Sequence, residues 1–410
     1  QGLTEIVQSY GSESRRLAEK ADCLLRTADE SFENKAYEAA KEAEHVSQER
    51  KYEIDREQEA KTEAEAIVVA REAIKKRQEE AIIASRTKSV DFNKRLKTAL
   101  KLQEAARKSH DKAADIHDYN KRDTYGYVAY ACELASRCWN KAISAKTFHQ
   151  SELVTLEVGA AEAFELEAAH YKESALACAA GHRKGGELWQ SAAYFLNKRA
   201  LKLFDAATAF EKAIQAKNNG EEELENVLKK SVLQNQTAAY YYDQVVEAIA
   251  HDDAVKEKCF KDAAEVISYR FKTWLERAAC ALEEARSIEN PEVSTLGKTI
   301  ARQYQMAADY SVQAAEAYAQ GNEEVGKRLS KAAESASGEN CLEYTLNILE
   351  RKIKTDKKSE MAEKNRAAIA LLHQAIEHFS QAAKAYSIGN ENEGARLQKI
   401  GIELHHKLYS

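Results

Sequence analysis

Among the residues able to do chemistry, three Glu-x-x-His pairs stand out: Glu42 with His45, Glu167 with His170 and Glu403 with His406. On a helix, positions i and i+3 share a face, so each pair presents a carboxylate and an imidazole together. Helical di-iron bundles use two such pairs with two further glutamates. Here the pairs lie 125 and 236 residues apart, which does not place them on adjacent hairpins of one bundle. His-Asp dipeptides at His110-Asp111, His117-Asp118 and His251-Asp252 suit the two-metal chemistry of all-helical phosphohydrolases. No remote His and Asp set completes them, and the third pair sits at a turn, where Asp is a usual helix N-cap. The chain has no Cys-x2-Cys pair, no phosphate-cradling glycine loop and no nucleophile elbow. We therefore expect no catalytic, cofactor-binding or metal-ligating residues. A helical metal-dependent enzyme built on the His-Asp or Glu-x-x-His groups is the alternative.

Tyrosine outnumbers phenylalanine 19 to 10, and it clusters at Tyr125, Tyr127 and Tyr130 and again at Tyr240, Tyr241 and Tyr242. Three adjacent tyrosines on a helix cannot all face one core. Tyrosine also suits interfaces, since it buries area while keeping a wet hydroxyl. These six are the candidate partner-binding residues. Basic residues gather at Lys94, Arg95, Lys97, Lys101, Arg107 and Lys108, and at Arg351, Lys352, Lys354, Lys357 and Lys358. With a net charge of -6 the chain lacks the overall basic field of a nucleic-acid binder, so no nucleic-acid partner is expected. A membrane-surface helix bundle would use such patches. Seven scattered cysteines, mostly among alanines, read as small buried hydrophobes and not as a disulfide framework. They favour a reducing, cytoplasmic setting, with secretion left open by a chain that starts at Gln1.

Long helices must position all of these groups. One proline and 15 glycines in 410 residues leave almost nothing to punctuate the turns of a sheet protein. The bulk is made of strong helix formers, Ala, Glu and Lys. The fold class is all-α: antiparallel long-helix hairpins forming an α-solenoid or extended helical bundle. No run of 18 apolar residues exists to cross a membrane. Turn signals predict breaks at 123–126, 148–151, 181–186, 218–220, 251–253, 289–294, 321–322, 355–358 and 389–390.

The segment Ala314-Ala315-Glu316-Ala317-Tyr318-Ala319-Gln320-Gly321-Asn322-Glu323 recurs as Ala382-Ala383-Lys384-Ala385-Tyr386-Ser387-Ile388-Gly389-Asn390-Glu391. A second glycine follows five positions on, at Gly326 and Gly394, and Gly181 with Gly186 fits the same frame. A degenerate copy sits at Asp252. The anchors 181, 252, 321 and 389 are 71, 69 and 68 residues apart. With Ala333 and Gly338-Glu339-Asn340 added, the unit around Gly321 resembles a tetratricopeptide repeat, and those at Gly181 and Gly389 do so partly. That family carries a small residue and Tyr on its first helix, Gly-Asn or Gly-Asp at the turn, and small residues on its second. The period here is twice the family's, and its closing proline is absent. Either a divergent array or a set of longer hairpins sharing the turn chemistry fits.

The chain divides into a charged, coiled-coil-like arm over residues 1–120 and a hairpin-repeat body over 121–410 with a period of about 69. In the arm, Ala60, Ala64, Ile67, Ile74 and Ala81 form a narrow apolar seam that needs another helix, from this chain or a second copy. We expect Ala192, Ala193, Ala263, Ala264, Ala332 and Ala333 to lie buried where helices approach closely. The function expected is a non-enzymatic helical repeat scaffold that binds a protein partner or assembles with itself, as a homo-oligomer. A membrane-surface or secreted effector bundle is a further alternative.

Overall fold

The computed structural model describes residues 16, 19–20, 33–86, 92–115, 119–147, 150–268, 273–338, 342, 349 and 359–407. Among these there is no strand, and twelve helices follow one another. They are α1 (Glu33–Arg86), α2 (Phe92–Asp115), α3 (Tyr119–Thr147), α4 (Ser151–Ala179), α5 (Arg183–Asn218) and α6 (Glu222–Ala250). The rest are α7 (Ala254–Ser268), α8 (Trp274–Ser287), α9 (Pro291–Ala319), α10 (Glu323–Ala336), α11 (Ser359–Ser387) and α12 (Glu391–His406). From α2 to α6 each helix packs on the next, and α9 joins α7 and α8 to α10 and α11. This is the sequential, solenoid-like packing of an all-α chain.

Length is the most regular feature. Helices α3, α4, α6, α9 and α11 each run 29 residues, about 43 Å at 1.5 Å per residue. Helices α7 and α8, 15 and 14 residues long, together take the place of one such helix, since both pack on α6 and α9. The second of them starts afresh on a capping box, Thr273 Oγ1 accepting from Glu276 N at 3.2 Å while Thr273 N donates to Glu276 Oε2 at 2.8 Å.

All four anchors fall in helix-to-helix turns with left-handed backbone: φ is +88° at Gly181, +58° at Asp252, +77° at Gly321 and +85° at Gly389. The bonding repeats with them. Gly321 N donates to Tyr318 O at 2.8 Å and Asn322 N to Ala317 O at 2.8 Å, and Gly389 and Asn390 repeat both bonds to Tyr386 O and Ala385 O. These bonds satisfy carbonyls that the helix end would otherwise leave bare. Asn322 and Asn390 then cap the next helix, each Oδ1 accepting a backbone N–H at 3.3 Å. At the opposite end of α5 and α6, Gly220 makes the same turn.

Small residues line the helix contacts. Ala192, Ala193, Ala263, Ala264, Ala332 and Ala333 are all buried, as expected. The glycine five residues past the anchor lies against the side chain three residues before it: a Cβ on Gly326 would come 2.8 Å from the Tyr318 ring, and one on Gly394 2.7 Å from Tyr386. Only a bare Cα admits the ring there.

One expected break is absent. Residues 123–126 do not break the chain; they lie inside α3, because Asp and one glycine do not outweigh the helix formers around them. The start of α8 on the Thr273 cap carries no glycine or proline signal. The expected break at 355–358 lies outside the described residues.

The 54-residue helix α1 is not a free arm along its whole length. Between Glu63 and Glu79 it lies across α4, α5 and α6. Ala70 and Ile74 enter a core cluster with Trp189, Ala192, Phe195, Leu196, Tyr241 and Tyr242. Arg77 pairs with Glu173 at 2.8 Å and stacks over Trp189 at 5.0 Å, and Arg71 pairs with Asp252. Glu63 accepts from the backbone N–H of Lys184 at 3.2 Å, at the positive end of α5. Part of the seam is therefore met within the chain at Ile74, with Ala60, Ala64 and Ile67 half-buried. The side chain of Ala81 lies outside the described residues.

Candidate functional site

The Glu-x-x-His pairs resolve into separate structural roles. Glu167 and His170 are both buried on α4, but each is turned to its own partner. Asn197 Nδ2 donates to both Glu167 carboxylate oxygens at 3.0 Å, and burial pushes the Glu167 carboxyl up to about 8. His170 Nδ1 lies 2.7 Å from Leu166 O, and its ring meets Trp189 edge-on at 4.8 Å. Burial holds this imidazole down at about 4, so it is neutral near pH 7. His45 is exposed and lies 3.5 Å from Glu49, with Glu42 exposed beside it. His406, near the end of α12, stacks edge-on against His405, and Glu403 lies 4.0 Å from Lys399. The structure does not bring these pairs together. Among the described residues no three His, Cys, Asp or Glu side chains are grouped to hold a metal ion.

Of the His-Asp dipeptides, His251-Asp252 forms the turn between α6 and α7. His251 Nδ1 bonds Glu247 O at 2.8 Å, and Asp252 is taken by Arg71. The capping carboxylate is the next residue: Asp253 Oδ1 accepts from Lys256 N at 3.0 Å. His117 and Asp118, and the side chains of His110 and Asp111, lie outside the described residues, as do Arg351, Lys352, Lys354, Lys357 and Lys358 and the side chains of Lys94 and Arg95. The described cysteines Cys132 and Cys138 are buried, with thiols pushed up by burial, whereas Cys178 is exposed.

The tyrosine clusters divide. Tyr241 and Tyr242 are core residues, 8% and 4% exposed, so they are withdrawn as partner anchors. Helical geometry forces this: two successive residues of the three reach the wide seam between α6 and its neighbours, and Tyr240 is left outside. Tyr240, Tyr127 and Tyr130 are about half exposed, and Tyr125 is half-buried. Tyr127 stacks on Tyr171 of α4 at 5.1 Å. A fourth exposed ring, Tyr194 on α5, lies against Phe195 at 5.1 Å and under the Lys198 ammonium at 5.3 Å. Tyr194 stands alone in the sequence between Ala193 and Phe195, without a cluster to mark it. Exposed aromatic rings thus occur on α3, α5 and α6.

Beside this, α1 closes a cleft of about 200 Å³ against α4, α5 and α6. Its walls are Lys75, Gln78 and Glu79 from α1, Glu162, Leu166 and His170 from α4, Leu196 and Arg199 from α5, and Asp243, Glu247 and His251 from α6. Arg199 pairs with Asp243 at 3.0 Å. Burial raises the Asp243 carboxyl against the pull of that guanidinium. These residues span positions 75 to 251 and share no local motif. Only the docking of α1 assembles them. No family model matches the chain, and no curated protein matches it. No helix among the described residues is long and apolar enough to cross a membrane.

Proposed function

We propose that the chain is a non-enzymatic helical scaffold, built on a divergent repeat of long hairpins, that binds a protein partner through the exposed rings of α3, α5 and α6. The observation that carries the reading is the placement of Tyr127, Tyr130, Tyr194 and Tyr240 on the outside of α3, α5 and α6, three helices of the α2 to α6 stack. A stack of hairpins offers a long surface whose affinity comes from a few aromatic anchors and not from reacting groups. The turn chemistry at Gly181, Gly321 and Gly389 supports the tetratricopeptide resemblance, and the 29-residue helices favour its longer-hairpin form. A reducing, cytoplasmic setting is part of the proposal, supported by the buried Cys132 and Cys138. So is self-association through the part of α1 before Glu63, where Tyr52 and Ile54 are exposed.

A photo-crosslinking amino acid placed at Tyr130, Tyr194 or Tyr240 in the native host tests the partner surface. The same protein species should be trapped from these positions and not from Arg183 or Lys399, both exposed. Replacing Tyr127, Tyr130 and Tyr194 by Ser should abolish the capture while helicity is retained. Equal capture from the control positions, or none at all, refutes the aromatic surface.

A further inference from the structure

The cleft under α1 has a definite chemistry. His170 Nδ1 faces the Leu166 carbonyl, which only accepts, so Nδ1 carries the ring hydrogen and Nε2 is a bare acceptor. That nitrogen has no hydrogen-bond partner, although the side chain is 1% exposed and lines the cleft. A buried acceptor left without a donor is costly, and such groups are normally satisfied. Around it the lining carries four carboxylates, Glu79, Glu162, Asp243 and Glu247, against one lysine and one arginine. Arg199 is committed to Asp243. Leu166 and Leu196 supply the apolar part of the wall.

We propose that this cleft binds a small alkyl diamine, one ammonium donating to His170 Nε2 and the other held by the carboxylates of α1 and α6. Charge, donor count and size agree. The lining is net negative and rich in acceptors, and a diammonium offers six N–H donors and no acceptor. A cavity of about 150 Å³ holds a benzene ring, so about 200 Å³ takes roughly six to eight heavy atoms, which includes the size of 1,4-diaminobutane. The methylenes lie along Leu166 and Leu196. A bare metal ion fits less well, because no three ligating side chains among the described residues converge. Burial, together with the positive charge of Arg77 over Trp189, keeps His170 neutral, so the ring accepts and does not repel an ammonium, while Arg77 offsets part of the negative charge of the lining. Since Lys75, Gln78 and Glu79 belong to α1, a bound diamine also ties that helix to the body. The site uses none of the exposed tyrosines, so it stands or falls apart from the partner surface.

Titration calorimetry on the full chain at low salt, with 1,4-diaminobutane as probe, tests this. Saturable binding of one diamine per chain is expected, with 1,4-butanediol, succinate and magnesium chloride giving none. Glu247→Gln, at an exposed position, and His170→Phe, which keeps a ring against Trp189, should each weaken binding tenfold or more with unchanged helicity. Hydrogen exchange over residues 75–79 should slow when the diamine is present. If His170→Phe does not fold, Glu247→Gln alone decides. The proposal is overturned if the diamine gives no saturable heat, if Glu247→Gln binds it as tightly as the parent, or if butanediol, succinate or magnesium binds as well.

Discussion

At Gly326 an added methyl group would meet the Tyr318 ring at 2.8 Å, whereas at Gly126, inside α3, it would meet nothing within 4 Å. The same substitution should therefore have opposite signs. Gly326→Ala should cost about 1–3 kcal/mol by overpacking. Gly126→Ala should add about 0.5–1 kcal/mol by lowering the freedom of the unfolded chain. Urea denaturation of the two variants checks this, and equal effects would show that the ring can move aside. The buried pair on α4 makes a second residue-scale prediction. Below about pH 4.5 both folded and unfolded states hold the Glu167 proton. Between there and about 8 the unfolded chain releases it and the folded chain keeps it, so this contribution to stability falls as pH rises. His170 runs the other way: with a folded value of about 4 against the ordinary 6.5, its contribution is intact above 6.5 and is lost as pH falls towards 4. Glu167→Gln should remove the first slope. The stability of this variant relative to the parent should rise from pH 5 to pH 8 by at least about 1.4 kcal/mol, the worth of one pH unit of displacement. A pH-independent difference would show that Glu167 is ionised in the folded chain.

Helices in this chain are joined by small residues and held by a few large ones. Ala333 on α10 is 2% exposed, and a leucine there should overpack the seam and cost roughly 1–3 kcal/mol. An unchanged melting temperature would mean that the neighbouring helix can retreat. Helix α1 depends on fewer contacts. Its surface pairs, Arg71 with Asp252 and Arg77 with Glu173, are each worth at most about 1 kcal/mol. Ile74, fully buried among Trp189, Phe195 and Val245, contributes more. Ile74→Ala should cost about 2–5 kcal/mol. Its signature is local: hydrogen exchange should quicken over residues 63–79 before it does in α9 to α12. Uniform acceleration along the chain would show that α1 and the body unfold as one unit.

For the whole molecule, the consequence is that residues 1–120 are not separable at no cost. Their removal takes Ala70 and Ile74 from the cluster around Trp189, and Ala106 from the one formed by Val128, Ala131, Cys132 and Tyr171. A chain starting at residue 121 should melt at a lower temperature than the parent and bind an apolar dye at the uncovered α4 to α6 surface. Calorimetry and dye fluorescence read both. Equal melting temperatures would restore the independent body that composition alone suggests. Light scattering on the same pair reads self-association: a lower order after the deletion supports the proposed role of α1, and an unchanged order removes it.

Helix content, the left-handed turns at Gly181, Gly321 and Gly389 and the burial of the paired alanines were determined by the sequence itself. Each follows from residues within one turn of the chain: helix formers without proline, a glycine at the helix end (followed by an asparagine cap at Gly321 and Gly389, not at Gly181), or a small side chain at a fixed offset. The start of α8 at Thr273 was not legible, because a Thr and Glu three apart form a capping box only where tertiary packing lets a helix begin. Of Tyr240, Tyr241 and Tyr242, spacing required one ring outside, but only the position of α5 and α7 against α6 decided which. The docking of α1 was the least legible. A seam of small and apolar residues states that a helix needs a partner, and it does not state which one. Tertiary structure supplied the partner, α4 to α6, and with it the acidic cleft around His170, whose walls are assembled from residues as far apart as Lys75 and His251.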